Sequence, residues 1–371
     1  MSKKKKTVIG YTGSAQLEKN ALGGSDGVVF TLDTSGEVLD DIKATQALED
    51  LRSAHVRTLR ALGKAEASRD ELVHAVYRAA KESATSMQLP VVPKPAPDTR
   101  KGASETAILL LSDWQLGKKT PTYDADVCAE RIELLAKKVE KLVEIQRAAH
   151  PVRELRVYLL GDLVEGEDIF PGQAHLITGS TYFQLFRGAE ILAGLVRRMA
   201  ATFDKVKVVG VIGNHGRLGR KGTFHPESNV DAMMYRVASM LVSQDKRIEW
   251  VETLAKGERA WYATDKVYDK TWFLFHGDQV GGGFAGFPWY GFGKKLQGWN
   301  MSVARFDYSA SGHFHTPVRM YLNGITHWGG GSTESTNTYA QETLAAAGEP
   351  CQYLLFQHPE GVTAEYLVRL G

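Results

Sequence analysis

The chain has 371 residues, 43% of them hydrophobic and 24% charged, and a formal net charge of +2. That length allows two domains and a sizeable core, and the composition is that of an ordinary globular protein rather than a disordered or fibrous one. Residues 1–103 carry 16 Lys and Arg against 13 Asp and Glu, leaving 29 against 30 in the remainder. The larger part of the chain therefore lacks the strongly basic footprint of a non-specific nucleic-acid binder.

The opening MSKKKKTVIG has a basic tract with no apolar run after it, so no secretory signal is expected. The longest apolar runs, 107–111 and 157–160, are too short to span a bilayer, and no membrane partner is expected. Cys128 and Cys351 stand far apart and outside any CxxC spacing, which points to a reducing, cytoplasmic setting.

Residues 1–35 are weakly patterned. Residues 36–89 are rich in Ala, Leu, Glu, Lys and Arg, and Leu39, Ile42, Leu48, Leu51, Leu59, Leu62, Leu72, Val73, Val76 and Tyr77 recur at mostly helical spacing. Ser68 and Glu71 match a capping box, so one or two amphipathic helices are predicted. Such helices pack on the main domain or on each other; the alternative is self-association or a partner contact. A linker follows over 90–103, where four prolines fix φ and remove backbone donors.

From residue 104 to 371 the pattern becomes strands alternating with helices. Strands are predicted over 107–112, 155–160, 206–212, 271–276 and 306–311, and helices over about 124–149, 181–203 and 230–243. That alternation indicates an α/β layered fold. Asn323-Gly324 between apolar pairs predicts a hairpin, and 352–356 with 362–368 predicts a second strand pair.

Five polar clusters fall at or just beyond the carboxyl ends of the predicted strands. They are Ser112-Asp113-Trp114-Gln115, Gly161-Asp162, Gly213-Asn214-His215, His276-Gly277-Asp278 and Gly312-His313-Phe314-His315. Open α/β sheets place their sites at that end, so the clusters should converge on one crevice. Oxygen and imidazole donors without thiolates suit Mn, Fe, Zn or Mg rather than a structural zinc cage. Two such ions about 3.5–4 Å apart clamp the attacking and leaving oxygens of a displacement at phosphorus, and acidify the water they share to hydroxide. Asp162 is the natural bridging carboxylate, and in an extended segment His313 and His315 project to one side. Taken singly, each cluster is more often a turn or a hydrogen-bonded structural histidine; the ordered set is not.

The order Asp-x-(His or Gln), Gly-Asp, Gly-Asn-His, His-Gly, Gly-His-x-His resembles the calcineurin-like metallophosphoesterase superfamily over residues 106–370. The resemblance implies a four-layer α/β/β/α sandwich, here with an N-terminal helical extension. It implies one metal on Asp113, Gln115, Asp162 and His315, and a second on Asp162, Asn214, His276 and His313. His215 would stabilise the transition state or protonate the leaving oxygen, a role that fits a non-ligand His beside a metal-bound phosphate. Gln115 stands where most members have His, and its harder amide oxygen shifts the preference towards Mn or Mg. Two divalent ions are expected, Mn first, with Mg, Fe or Zn as alternatives.

Gly213–Arg217 with Arg220 and Lys221, and Phe275–Gln279 with the glycines and aromatics after it, resemble the phage and bacterial branch related to SbcD-type DNA exonucleases. The cations Arg217, Arg220 and Lys221 could hold phosphate oxygens, or form a solvated basic loop. The segment 284–299, with Trp289 and Lys294-Lys295, could stack the bases of a single strand, or serve as a core-covering loop. Glu165, Glu167 and His175 could shape the substrate pocket. The expected activity is a phosphodiesterase or nuclease on DNA or RNA; the alternatives are a small-molecule nucleotide phosphodiesterase or pyrophosphatase, and a non-catalytic scaffold.

Overall fold

The computed structural model describes residues 91–371 apart from 171, 220, 223, 252, 254–260, 282–286 and 336–347, together with Arg57 and scattered residues from Glu71 to Glu82. The reading for 1–35, most of that for 36–89, and Arg220 lie outside the described residues. The chain divides into two compact units, Met1–Leu72 and Val73–Gly371. In the first, only Arg57 and Glu71 are described, and both are helical.

In the second unit, residues 91–104 form neither helix nor strand, as their prolines dictate. The segment is nonetheless tied down. Arg247 donates to the carbonyls of Val92 and Pro93 at 3.2 and 3.1 Å, and Arg153 donates to that of Asp98 at 2.9 Å.

In chain order the elements that follow are β1 (Glu105–Leu111), α1 (Ala125–Gln146), β2 (Val152–Leu159), α2 (Thr181–Thr202), β3 (Lys205–Gly210), α3 (Val230–Val242), β4 (Ile248–Val251), β5 (Tyr262–Val267), β6 (Lys270–Phe275), α4 (Trp289–Ser302), β7 (Tyr308–Ser311), β8 (Val318–Leu322), β9 (Ile325–Gly329), β10 (Cys351–His358) and β11 (Gly361–Arg369). Among the described residues the strands make two sheets, ordered β11-β10-β1-β2-β3-β4 and β5-β6-β7-β9-β8. Strands β1 to β4 run parallel, with β10 antiparallel against β1. In the second sheet β6, β7 and β9 run parallel, flanked by antiparallel β5 and β8.

Strand parity explains the packing. Ala107, Leu109 and Leu111 enter one apolar cluster with α1, α2 and α3, whereas Ile108 and Leu110 enter a second with Trp272, Leu274 and Trp328 of the other sheet. A strand buried on both faces reads as a continuous apolar run, as Ala107–Leu111 of β1 does. In β6 the alternate residues Phe273 and Phe275 pack into a third cluster with Phe292 and Leu296 of α4.

Local chemistry sets the element ends. The Asp124 carboxylate caps α1 by accepting from the amides of Asp126 and Val127 at 3.0 and 2.9 Å. Asn323 and Gly324 both have positive φ, 49° and 88°, as a two-residue hairpin of the mirror-image type requires. The aromatic stretch 284–299 corrects the loop reading: from Trp289 onward it is helix α4. Phe292 and Leu296, four apart, bury one face, and Gly291, Gly293 and Gly298 had diluted that periodicity. No helix among the described residues is long and apolar enough to cross a membrane.

Candidate metal centre

The carboxyl ends of β1, β2 and β3 lie side by side in one sheet, and those of β6 and β7 in the other. Backbone bonds join the turns beyond them: Asp113 N–H to Gly161 C=O at 3.0 Å, and Gly312 N–H to His276 C=O at 2.8 Å. Two further bonds cross between the sheets. His276 Nδ1 meets the Leu160 carbonyl at 2.7 Å, and the His313 amide donates to the Asp113 carboxylate at 2.9 Å. Gly161 is required at this junction; at φ 87° a Cβ would lie 2.8 Å from His276 Nδ1.

The side chains assemble around Asp162. One donor atom each from Asp162, His276 and His313 lies within 4.8 Å of the others. His276 Nε2 is 2.9 Å from Asp162 Oδ2 and 3.1 Å from Asn214 Oδ1. Beside them, His315 Nε2 is 3.3 Å from Asp113 Oδ1 and 3.5 Å from Gln115 Nε2. Gln115 is fully buried, and its Oε1 has no hydrogen-bond partner. A buried amide oxygen without a donor is costly unless something electropositive faces it. Oxygen and imidazole donors converging there fit hard or borderline divalent cations.

The backbone carries the same signature. Asp113, Gln115, Asp162, His313 and His315 all have φ between 50° and 76°. Left-handed conformation costs a non-glycine residue on the order of 1–3 kcal/mol and persists where surrounding bonds over-determine it. The other non-glycine residues with positive φ among those described are Tyr268 and Asn323.

Charge is unevenly distributed over the histidines. Burial pushes His276 and His315 down, but Asp162 outweighs it for the first and Glu334 with Asp113 for the second, raising both to about 10. Burial and the neighbouring His276 push His313 down to about 4. Without metal, His276 and His315 therefore hold protons at pH 7 that ligation must displace. Metal loading at pH 7 is expected to release protons and to strengthen as pH rises towards 10, which titration calorimetry in buffers of different ionisation enthalpy measures. The sign for folding is opposite. These ion pairs stabilise the metal-free fold fully below about pH 6.5, and that contribution is lost as pH rises through about 10.

Two buried carboxylates outside the predicted set hold this arrangement. Asp231, in the first turn of α3, accepts amides from Asp162 at 2.9 Å, Leu163 at 3.1 Å and Gly213 at 2.9 Å. Burial, then the charge of Asp162, raises its carboxyl to about 6. In sequence it looks like the ordinary acidic residue after the Asn229 cap. Glu334 Oε1 lies 2.6 Å from His315 Nδ1, and its Oε2 lies 2.5 Å from Lys118 Nζ. It is delivered by the 331–334 segment, where Ser332 Oγ donates to the Asp113 carbonyl at 2.7 Å. No spacing in the sequence marks it. A carboxylate behind a ligating imidazole fixes the ring and raises its basicity. Glu334→Gln is expected to weaken metal binding by roughly 10–100-fold, read by competition with a chelating dye.

Of the other predicted residues, His215 sits against the centre. Its Nδ1 is 2.8 Å from the Glu165 carbonyl, and its amide donates to Asp162 Oδ1 at 2.7 Å. Burial lowers its pKa, but Asp162 and Glu165 together raise it to about 9. Arg217 Nε donates to the Asn214 carbonyl at 2.8 Å, and Lys221 pairs with Asp278 at 2.8 Å. Trp289 opens α4, half exposed, its ring 4.6 Å from that of Phe287. Glu167 accepts from Thr181 at 3.2 Å, and His175 lies exposed in a 3-10 turn.

No protein-family description and no curated protein matches the sequence. Solved structures that share its course include a predicted phosphoesterase from Streptococcus pneumoniae, 12% identical, covering 72% of this chain and 99% of that one, at a TM-score of 0.30. Vacuolar protein sorting 29 from Cryptosporidium parvum is 13% identical over 72% and 99%, at 0.34. An archaeal phosphodiesterase is 9% identical over 71% and 99%, at 0.33. Overlap this loose carries no argument about activity, which rests on the side chains at the strand ends.

Proposed function

We propose that this chain is a calcineurin-like metallophosphoesterase with four α/β/β/α layers, acting as a two-metal phosphodiesterase on DNA or RNA. Asp113, Gln115, Asp162 and His315 would hold one divalent ion, and Asp162, Asn214, His276 and His313 the other, with Mn the preferred metal. The observation that carries this reading is the buried cluster of Asp162, His276 and His313, whose donor atoms lie within 4.8 Å of one another with Asn214 Oδ1 3.1 Å from His276 Nε2.

Bound divalent ions would neutralise phosphate oxygens and make water acidic enough to attack near neutral pH. The chain's own residues do the rest. Asp231 and Glu334 fix the ligands' orientation. His215, whose amide donates to Asp162 Oδ1 and whose ring lies against Glu165, would give a proton to the leaving oxygen. The Glu165 carbonyl at Nδ1 orients the ring.

A second reading, hydrolysis of a small nucleotide phosphodiester, has its own support. Arg217 and Lys221 are engaged by Asn214 and Asp278, which leaves less cationic surface for a polynucleotide backbone. The test is Mn-supplemented hydrolysis of single- and double-stranded DNA, RNA, linear and cyclic dinucleotides, bis-p-nitrophenyl phosphate and a simple monoester. Polynucleotide cleavage that falls steeply with salt supports the first reading; cleavage of dinucleotides alone supports the second. Activity confined to monoesters overturns both, and metal-loaded protein without any hydrolysis points to a scaffold.

A further inference from the structure

Beside the metal centre lies a cleft of about 160 Å³ bordered by Gly213, Arg217, Lys221, Phe224, Trp261 and Gln279. It shares walls with the centre. Gly213 precedes Asn214, and Gln279 stands three residues after His276, so two turns that carry candidate ligands also line the cleft. Pockets that enclose a drug-sized molecule measure about 300–1,000 Å³. This one therefore admits a single ring system with its substituents open to solvent.

Its aromatic walls are fixed by their neighbours. The Trp261 ring packs 4.9 Å from Tyr262, 4.9 Å from Trp299 and 5.8 Å from Phe273. Phe224 packs against backbone at Gly219, where a Cβ would come within 2.7 Å of its ring. Rings held this way need not be ordered on binding. The polar edge is also organised. Gln279 accepts the Gly277 amide at 3.1 Å, which orients its own amide, and Lys221 is neutralised by Asp278. An acyl chain would gain nothing from that edge. A flat, neutral ring with hydrogen-bonding rim atoms matches both the faces and the edge.

Resting on the phosphodiesterase reading, we propose that this cleft is a nucleobase subsite, taking the base of the nucleotide whose phosphate lies at the metal centre. The base stacks on Trp261 and Phe224, and Gln279 meets its rim. The cleft confers a requirement for a nucleoside on one side of the scissile phosphate.

Calorimetric binding of adenosine 5′-monophosphate and ribose 5-phosphate to Mn-loaded protein tests this. The nucleotide is expected to bind at least about tenfold more tightly than the sugar phosphate, a ratio consistent with one stacked base. Trp261→Ala, and independently Phe224→Ala, should shrink that ratio to below about threefold on the same scale. The second variant guards against a general loss of packing around Trp261. Equal affinities in the unaltered protein, absence of nucleotide binding, or an undiminished ratio in Phe224→Ala overturns the subsite. Hydrolysis of bis-p-nitrophenyl phosphate by the unaltered protein is scored in parallel. Base preference without hydrolysis sinks the phosphodiesterase reading and leaves the subsite; hydrolysis without base preference does the reverse.

Discussion

Asp162→Ala is expected to reduce phosphodiester hydrolysis by at least about 10³-fold, roughly 4 kcal/mol of transition-state stabilisation. Asp162 lies within reach of His276 and His313, and it accepts the His215 amide. No other carboxylate among the described residues makes these contacts. Burial pushes the Asp162 carboxyl up, but the charges of His276 and His215 outweigh it and hold the group well below the usual carboxylate range. Its loss removes the one negative charge common to both candidate metal positions, and two like-charged dications cannot then sit close together. Metal content by mass spectrometry should fall from two ions to one or none. A variant that keeps both ions and full turnover would overturn the bridging role. A melting curve shows whether the fold has survived, since His276 can shed its proton once its counter-charge is gone.

Asp231→Asn is expected to cost the fold about 2–5 kcal/mol, although it removes no metal ligand and alters no side-chain volume. The carboxylate takes backbone amides from two different strand-end turns, at Asp162 and Gly213. An asparagine in the same place directs an NH₂ at amides that also donate, leaving buried N–H groups without acceptors. Because those turns present Asp162 and Asn214, metal affinity should fall with stability, by roughly 10–100-fold. Urea denaturation of the metal-free protein separates the two effects, because there the loss of stability cannot come from lost metal. Unchanged urea midpoints would show that the turns hold without the carboxylate.

Much of the architecture was legible because the physics is local. A run such as Ala107–Leu111 is apolar on both faces, and only a strand between two layers needs that. The Asp124 and Asn229 caps and the Asn323-Gly324 turn are short-range hydrogen bonds and dihedrals, visible in the residues themselves. Helix α4 was not legible, because three glycines and exposed aromatics blur its apolar face. Four-residue β4 is too short for a period to show, and in β5 the buried Asp265 interrupts the apolar alternation.

The candidate site divides along the same line. Asp113, Gln115, Asp162, Asn214, His276, His313 and His315 each sit beside a strand end with a characteristic residue type, and those types and their order are sequence properties. What tertiary structure decided is how they are held. Asp231 reaches back from α3 to turns some 20 and 70 residues away in the chain, as its 18-residue and 69-residue separations from Gly213 and Asp162 show. Glu334 comes to His315 only because the segment after β9 bonds to the Asp113 turn. The left-handed backbone of five candidate ligands has no sequence signal either, since Asp, Gln and His do not favour it as glycine does. Donor chemistry is carried by each residue alone. Burial, strain and a carboxylate's partners arise only when distant segments meet, so the sequence determined which donor groups are candidates and the fold decided what holds them.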